Sequence, residues 1–472
     1  QKAIYNDPNN DSEEKESAIK YFNEAFNFEN HIKEISEDYL LEAILDIYNS
    51  IDFKEVPKEQ FKDLYESTIS RMRKGKQRGF NGNFIGQHFT QSATVKLICE
   101  VAYSKIKDQN KLAIYDPTCG VGMMLIESYF FFKSKGINEI KVYGQEIDLR
   151  VWLLAKIFME ALDIPNILAK GNTLTNPLLM NELENDESFK IIIANPPYGI
   201  DWKHEEKKVI ENLKNEKESP FYIIKDHNNN LTLPPKNDGQ FLFMLHIIKL
   251  MLNEKKKGRN TFAGIISSPS LSYSSGKSEE MIRQRIFETG IVDTMLLQPQ
   301  NMFTNTSIQT YIWFLNTQKI DNESKYKITL IRADNEELHS KHPEPVDNMK
   351  NTYSDENIKE IVNLINSSQE TVEGKKKIIN VKDGSSTITK INISSEIQVK
   401  QHNSCENIDL YELYMDLNKK LELLTQLTKT KETEENSKTE INKNEKLKQK
   451  TKKQSSKEKI NQGQMLLFTL FK

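Results

Sequence analysis

Cysteine is nearly absent: Cys99, Cys119 and Cys405 are the only three in 472 residues, and no two of them form a CxxC pair. That excludes a disulfide framework and a structural zinc site, and it suits a reducing compartment. A basic surplus is missing too. Lys and Arg total 65 against 68 Asp and Glu, a formal net charge of -3. A polypeptide that grips nucleic acid by bulk charge alone is therefore excluded; local basic patches or a second subunit would have to neutralise phosphates. Long hydrophobic runs are also lacking. The strongest, Phe241 to Leu252, already contains His246 and Lys249 and is too short to span a bilayer. No secretory signal is recognised. The expectation is a soluble cytoplasmic protein with no membrane contact and no metal.

What is present falls into four stretches. Residues 1–80 are polar and read as an N-terminal helical domain, with Ile35, Tyr39, Leu40, Ala43 and Ile44 recurring at helical spacing. Residues 81–335 alternate short β-rich runs (Leu112–Tyr115, Ile140–Tyr143, Ile191–Ala194, Phe262–Ile266) with amphipathic stretches such as Leu149–Leu162 and Phe241–Leu252. Alternation of this kind predicts an α/β fold, a mostly parallel sheet with helices on both faces. Ile291–Leu297 and Gln309–Leu315 are joined by too short a link for a crossover helix, so an antiparallel pair closing the sheet edge is expected. Residues 336–428 read as a mixed, partly helical C-terminal region for partner contact. Within it Leu410, Tyr414, Leu417, Leu421 and Leu424 give one apolar seam, equally suited to packing on its own domain. Residues 429–472 form a charged tail, expected to be disordered, with an apolar end at Met465–Phe471.

Three strand ends carry candidate ligand-binding residues. Asp116-Pro117-Thr118-Cys119-Gly120-Val121-Gly122 follows the first strand and precedes the helix Met123–Phe132. A strand–glycine loop–helix unit lets backbone approach a ligand at the carboxyl edge of a sheet. Gly120 and Gly122 leave space a side chain would fill, and Asp116 suits a cationic or hydroxyl-bearing ligand. Glu146 ends the next strand, where an acid can accept hydrogen bonds from both hydroxyls of a ribose. Asn172, in Gly171-Asn172-Thr173-Leu174, suits the edge of an adenine ring, although Asn after Gly is also ordinary turn chemistry.

The fourth strand end is the most informative. Asn195-Pro196-Pro197-Tyr198 follows Ile191–Ala194. The exocyclic amine of adenine is a poor nucleophile because its lone pair is delocalised into the ring. Two acceptors that hold its hydrogens favour a tetrahedral nitrogen with the lone pair free. Asn195 offers its side-chain oxygen and Pro196 its main-chain carbonyl, whose direction two consecutive prolines fix. Tyr198 offers an aromatic face for an extruded base. The competing structural reading is a rigid turn with a packed tyrosine. Cytosine C5 chemistry is disfavoured because no cysteine follows a proline. Gly276-Lys277-Ser278 is not a phosphate loop, since Leu271 stands where glycine is needed, and reads as a helix start. His204-Glu205 lacks the second histidine of a zinc-protease helix.

In this order the motifs resemble the gamma class of amino-methyltransferases, and in particular the modification subunit of type I restriction–modification systems. The resemblance covers residues 84–335 well. Gly86-Gln87-His88-Phe89-Thr90-Gln91 stands where that family carries its Gly-Gln-aromatic-aromatic-Thr-Pro cofactor motif, with His88 at an aromatic position and Gln91 in place of proline. Asp238-Gly239-Gln240-Phe241, Ala263–Pro269 and Asn301–Thr310 are similar to its later motifs. The resemblance implies a Rossmann-like sheet and S-adenosylmethionine held by Gln87, His88, Phe89, Thr90, Gln91, Asp116, Thr118, Cys119, Gly120, Gly122, Glu146 and Asn172. Asn195, Pro196, Pro197 and Tyr198 would then be the catalytic set for N6 methylation of adenine in DNA. It also implies a specificity subunit, and a restriction subunit as a further partner. N4-cytosine methylation shares the same amine chemistry. An RNA or protein-glutamine methyltransferase and a non-catalytic scaffold are the other readings.

Overall fold

The computed structural model describes residues 90–398, apart from 107–108, 215–218, 304–305, 347 and 384–385. The segment 1–80, the Leu410–Leu424 seam and the tail 429–472 lie outside the described residues.

Strand and helix alternate from the start. Helix α1 (Ser92–Lys105) precedes β1 (Lys111–Asp116), which leads into α2 (Met123–Ser134). Next come β2 (Glu139–Glu146), α3 (Leu149–Ala161), β3 (Asn166–Lys170), α4 (Met180–Asn185) and β4 (Phe189–Ala194). After α5 (Glu206–Lys214) and α6 (Gln240–Lys256) the chain enters β5 (Thr261–Ser267), then α7 (Ser270–Tyr273) and α8 (Lys277–Glu288). β6 (Val292–Leu297), β7 (Tyr311–Asn316), β8 (Lys327–Arg332) and the hairpin β9 (Ser340–Val346) and β10 (Met349–Thr352) follow. Helix α9 (Asp355–Asn366) and strands β11 (Thr371–Val372) and β12 (Lys376–Asn380) complete the part that matters here.

Ten strands form one sheet in the order β11-β12-β8-β6-β7-β5-β4-β1-β2-β3. From β3 to β5 every pairing is parallel, with Ile114 of β1 opposite Val142 on one side and Ile191 on the other. Every residue of β4, Phe-Lys-Ile-Ile-Ile-Ala, is buried. An unbroken apolar run of this kind marks a strand covered on both faces. Because side chains alternate along a strand, the sheet divides its neighbours into two cores. Ile114, Ile191 and Ile193 face α1, α2, α3 and α9. Tyr115, Ile192 and Ala194 face α6 and α8. The strand order runs outward in both directions from β1 and β4. Open α/β sheets bind their ligands at such a switch point, beyond the carboxyl ends of the strands.

The antiparallel pairing of β6 with β7 is as expected, with Leu297 opposite Tyr311. Its place in the sheet is not. β7 inserts between β5 and β6, and the edge lies three strands further out, at β11. Tyr-Ile-Trp-Phe-Leu-Asn is buried throughout, which suits an interior strand and not an edge. The boundary expected at 335 does not interrupt the body either. β12 pairs with β8 over five residues, and Ile358, Ile361 and Leu364 of α9 join the core on the α1 face.

One ion pair inside the sheet has no solvent contact. Lys190 of β4 meets Glu254 of α6 at 2.7 Å with both side chains fully buried, and Arg259 approaches the same carboxylate at 2.6 Å. Burial alone would push Glu254 upward, but hydrogen bonds from Arg259 and Lys190 hold it below the usual carboxylate range.

Candidate functional site

The carboxyl ends of β1, β2, β3 and β4 surround one cavity of about 240 Å³. Its shape begins with the turn after β1. Asp116 Oδ1 accepts the Thr118 main-chain N–H at 2.8 Å and its hydroxyl at 3.3 Å, which folds the chain back over the strand end. Gly122 then starts α2 with φ +82°, and a Cβ there would stand 2.8 Å from Met159 Cε. The left-handed backbone requires glycine, whereas the Met159 methyl is the end of a flexible side chain that can give way. At Gly144 a Cβ would meet Cys119 Sγ at 2.8 Å, so the second strand packs directly beneath the loop.

Glu146 bridges loop and strand. Its Oε2 accepts the Gly120 N–H at 3.0 Å and its Oε1 accepts the Asp148 N–H at 2.8 Å. Burial pushes the Glu146 carboxyl up, although the N–H groups of Asp148, Gly120 and Ile147 oppose the shift. Burial pushes the Asp116 carboxyl up to about 7, with Glu146 adding to the rise. Cys119 is a buried thiol pushed well upward by burial and by those same two acids. It is a packed wall and not a nucleophile.

Asn195 sits at the end of β4 with its amide fixed. Its Nδ2 donates to Thr90 Oγ1 at 3.0 Å, and the Thr90 hydroxyl donates in turn to Met124 Sδ at 3.4 Å. The amide oxygen is therefore turned the other way, where it accepts the Tyr198 hydroxyl at 2.6 Å. Burial pushes the Tyr198 phenol up, so the hydroxyl stays protonated and donates. A carbonyl oxygen has two lone pairs and can accept from more than one donor.

The residues after Tyr198 close the cavity from the other side. Trp202, 1% exposed, donates its indole N–H to Pro235 O at 2.9 Å, and Gly239 N–H donates to Ile200 O at 2.9 Å. Gln240 joins Asp238 to Ser268, so the stretch 238–240 ties this loop to the end of β5. Asn172 offers Oδ1 to the Leu174 N–H at 2.9 Å, and its Nδ2 donates to Glu205 Oε1 at 3.2 Å.

Of the residues singled out in the sequence, Thr90, Asp116, Thr118, Cys119, Gly120, Glu146, Asn172, Asn195, Pro197 and Tyr198 line the cavity together. Three described ones do not. Gln91 turns away and donates to Asn351 O at 2.9 Å, Gly122 acts through the backbone, and Pro196 is buried beneath the wall. Gln87, His88 and Phe89 lie outside the described residues. Sequence reasoning missed Ile147, Trp202 and Glu205. Ile147 directly follows the ribose-type acid and is an apolar side chain exposed at 58%, which is a usable signal. Glu205 was weighed only as part of a metal motif; among the described residues no cluster suited to a metal occurs.

The charge of the lining is one-sided. Asp116, Glu146, Asp201 and Glu205 contribute four carboxylates, and among the described residues no Lys, Arg or His lines the cavity. Such a wall repels a polyphosphate and favours a ligand bearing a cation, hydroxyls and N–H donors. The residues present therefore fit an adenosyl amino acid better than a dinucleotide.

An open sheet with an acid-lined cavity at its switch point, and an amide fixed at the next strand end, is the architecture of the Rossmann-like methyltransferases. The chain belongs to the N-6 DNA Methylase family, whose model matches residues 57–405. It is 27% identical over 411 residues to the type I restriction enzyme MjaVII methylase subunit of Methanocaldococcus jannaschii, covering 86% of this chain and 62% of that protein. Against the MpnII methylase subunit of Mycoplasma pneumoniae it is 27% identical over 350 residues, covering 71% and 58%. The chain thus spans about three fifths of the length of these relatives. The crystal structure of a type I restriction-modification methyltransferase subunit from Streptococcus thermophilus shares the fold, with 24% identity and a TM-score of 0.50 over 62% of this chain and 56% of that one.

Proposed function

We propose that this chain transfers a methyl group from S-adenosylmethionine to the N6 amine of adenine in DNA, as the modification polypeptide of a type I-like restriction–modification complex. The observation that carries the proposal is the orientation of Asn195. Thr90 holds its nitrogen, so its oxygen faces the space beside the acidic cavity.

Bound in that cavity, S-adenosylmethionine supplies an electrophilic methyl on a sulfonium. Asp116 would offer a carboxylate to its ammonium group, Glu146 would accept from its ribose hydroxyls, and Asn172 would meet its adenine. Ile147 and Leu174, which line the cavity, would give the ring apolar surface. Asn195 Oδ1 would take an N–H bond of the target amine and Tyr198 would stack on the extruded base, while Pro196, buried behind the wall, would fix the turn that joins them. Positioning of a neutral amine against the methyl dominates the rate, with no covalent attachment to the chain.

The missing basic surplus is consistent with DNA being held largely by a specificity subunit, with a restriction subunit as a further partner. Among the described residues no helix is long and apolar enough to cross a membrane, and a cytoplasmic site of action follows from the DNA substrate. The test is nucleoside analysis after incubation with labelled S-adenosylmethionine, DNA and the cognate specificity subunit. Label in N6-methyladenine is expected. Label in N4-methylcytosine, or only with RNA or protein acceptors, would replace the substrate named here.

A further inference from the structure

We propose that Glu205 is the side chain that selects adenine in the bound cofactor, by accepting a hydrogen bond from its exocyclic amine. The inference rests on the S-adenosylmethionine reading above and extends it to a residue that no cofactor motif contains.

Glu205 lies just before α5, on the loop that follows Tyr198. Its backbone is fixed at both ends: its N–H donates to Trp202 O at 3.1 Å, and its carbonyl accepts the Val209 N–H at 2.9 Å. Its side chain reaches across to Asn172 at the end of β3. One carboxylate oxygen takes the Asn172 Nδ2 hydrogen, but the other, Oε2, is out of contact with solvent and has no hydrogen-bond partner. A carboxylate oxygen in that position is strongly unfavourable unless a donor meets it. Glu205 is part of the cavity wall, so a ligand bound there can bring the donor that this oxygen lacks.

The strand order says which part of the ligand. β3, β2, β1 and β4 lie side by side, so Asn172 and Asn195 are separated by three strand spacings, roughly 14 Å at ~4.8 Å each. The methyl must be delivered at β4 and the ribose lies at Glu146 on β2, which leaves β3 for the adenine. The amide of Asn172 cannot adapt to either base edge. Its oxygen is committed to Leu174 N–H and its nitrogen to Glu205, leaving one N–H for a ring acceptor. Asn172 as donor and Glu205 as acceptor match the ring nitrogen and amine of adenine. Hypoxanthine reverses both groups, placing a carbonyl oxygen against the carboxylate and an N–H against the Asn172 donor.

Calorimetry on the full chain with S-adenosylhomocysteine and S-inosylhomocysteine tests this. The unaltered chain should prefer the adenosyl ligand by at least about tenfold, because a site built for a donor rejects an acceptor. Glu205→Gln keeps the shape and adds an N–H, so it should weaken the adenosyl ligand, strengthen the inosyl ligand and bring the ratio near one. Glu205→Asp retracts the charge and should weaken the adenosyl ligand without helping the inosyl one. A thermal melt matched to the unaltered chain establishes that each variant is folded. An unchanged ratio in Glu205→Gln, or equal loss of both ligands, overturns the assignment of Glu205. Failure of the unaltered chain to bind either ligand overturns the cofactor reading itself.

Discussion

Asp116 gives the cofactor reading a pH signature. Burial pushes its carboxyl up to about 7. A ligand that presents an ammonium group needs the ionised form, so binding below that pH must release a proton. The apparent affinity falls by a factor of one plus the proton ratio: roughly thirtyfold at pH 5.5 and about 1.3-fold at pH 7.5. Affinity for S-adenosylhomocysteine should therefore rise about twenty-five-fold between those two values, and Glu146, also raised by burial, adds to the slope in the same direction. Stability of the free protein runs the opposite way. A folded-state value above the unfolded one stabilises at low pH, and that contribution is lost as pH rises through about 7. The displacement from an ordinary ~3.9 to that value corresponds to roughly 4 kcal/mol, an upper bound because a loop can relax. Asp116→Asn should raise the melting temperature at pH 7.5, leave it nearly unchanged at pH 4, and abolish most of the pH dependence of binding. Calorimetry in two buffers of different ionisation enthalpy reads the proton release directly. A flat affinity from pH 5.5 to 7.5 with no proton released would refute the reasoning.

Other substitutions separate the parts of the site. Tyr198→Phe keeps the ring and removes the hydroxyl that occupies Asn195 Oδ1 at 2.6 Å; binding of a DNA carrying an extruded adenine analogue should hold or tighten, whereas Tyr198→Ala should weaken it by about 1–3 kcal/mol through lost stacking. Thr90→Val frees the Asn195 amide to rotate, and kcat should fall about tenfold or more with little change in cofactor affinity, as steady-state kinetics and calorimetry would show. Gly122→Ala forces a Cβ against Met159 at φ +82° and should lower stability by about 1–3 kcal/mol in denaturant titration. Glu254→Leu removes the carboxylate that neutralises the buried Lys190, leaving its ammonium only the Asp186 and Ser188 carbonyls, and should destabilise the fold by about 3–5 kcal/mol.

The parallel half of the sheet was legible because its strands are short apolar runs separated by helical periodicity, and each strand end carries a polar residue out of keeping with a core. That pattern alone puts Asp116, Glu146, Asn172 and Asn195 at strand ends on one edge. The place of β7 is not legible, because period and length report burial but not neighbours; only its uninterrupted apolar character hints at an interior position. Gln91 was grouped with its motif, yet it follows Thr90 into the start of α1, where the backbone turns it toward Asn351. The pairing of Thr90 with Asn195 spans 105 positions, and that of Asn172 with Glu205 spans 33. Contacts of that kind depend on how loops return over a sheet edge, which no local pattern encodes.

The most direct measurement is single-turnover methyl transfer by Asn195→Ala beside its affinity for S-adenosylhomocysteine. Loss of at least about a hundredfold in transfer with cofactor affinity within about twofold is expected, since the amide acts on the target amine alone. Transfer at the unaltered rate would contradict the role given to Asn195, and with it the catalytic reading of the cavity.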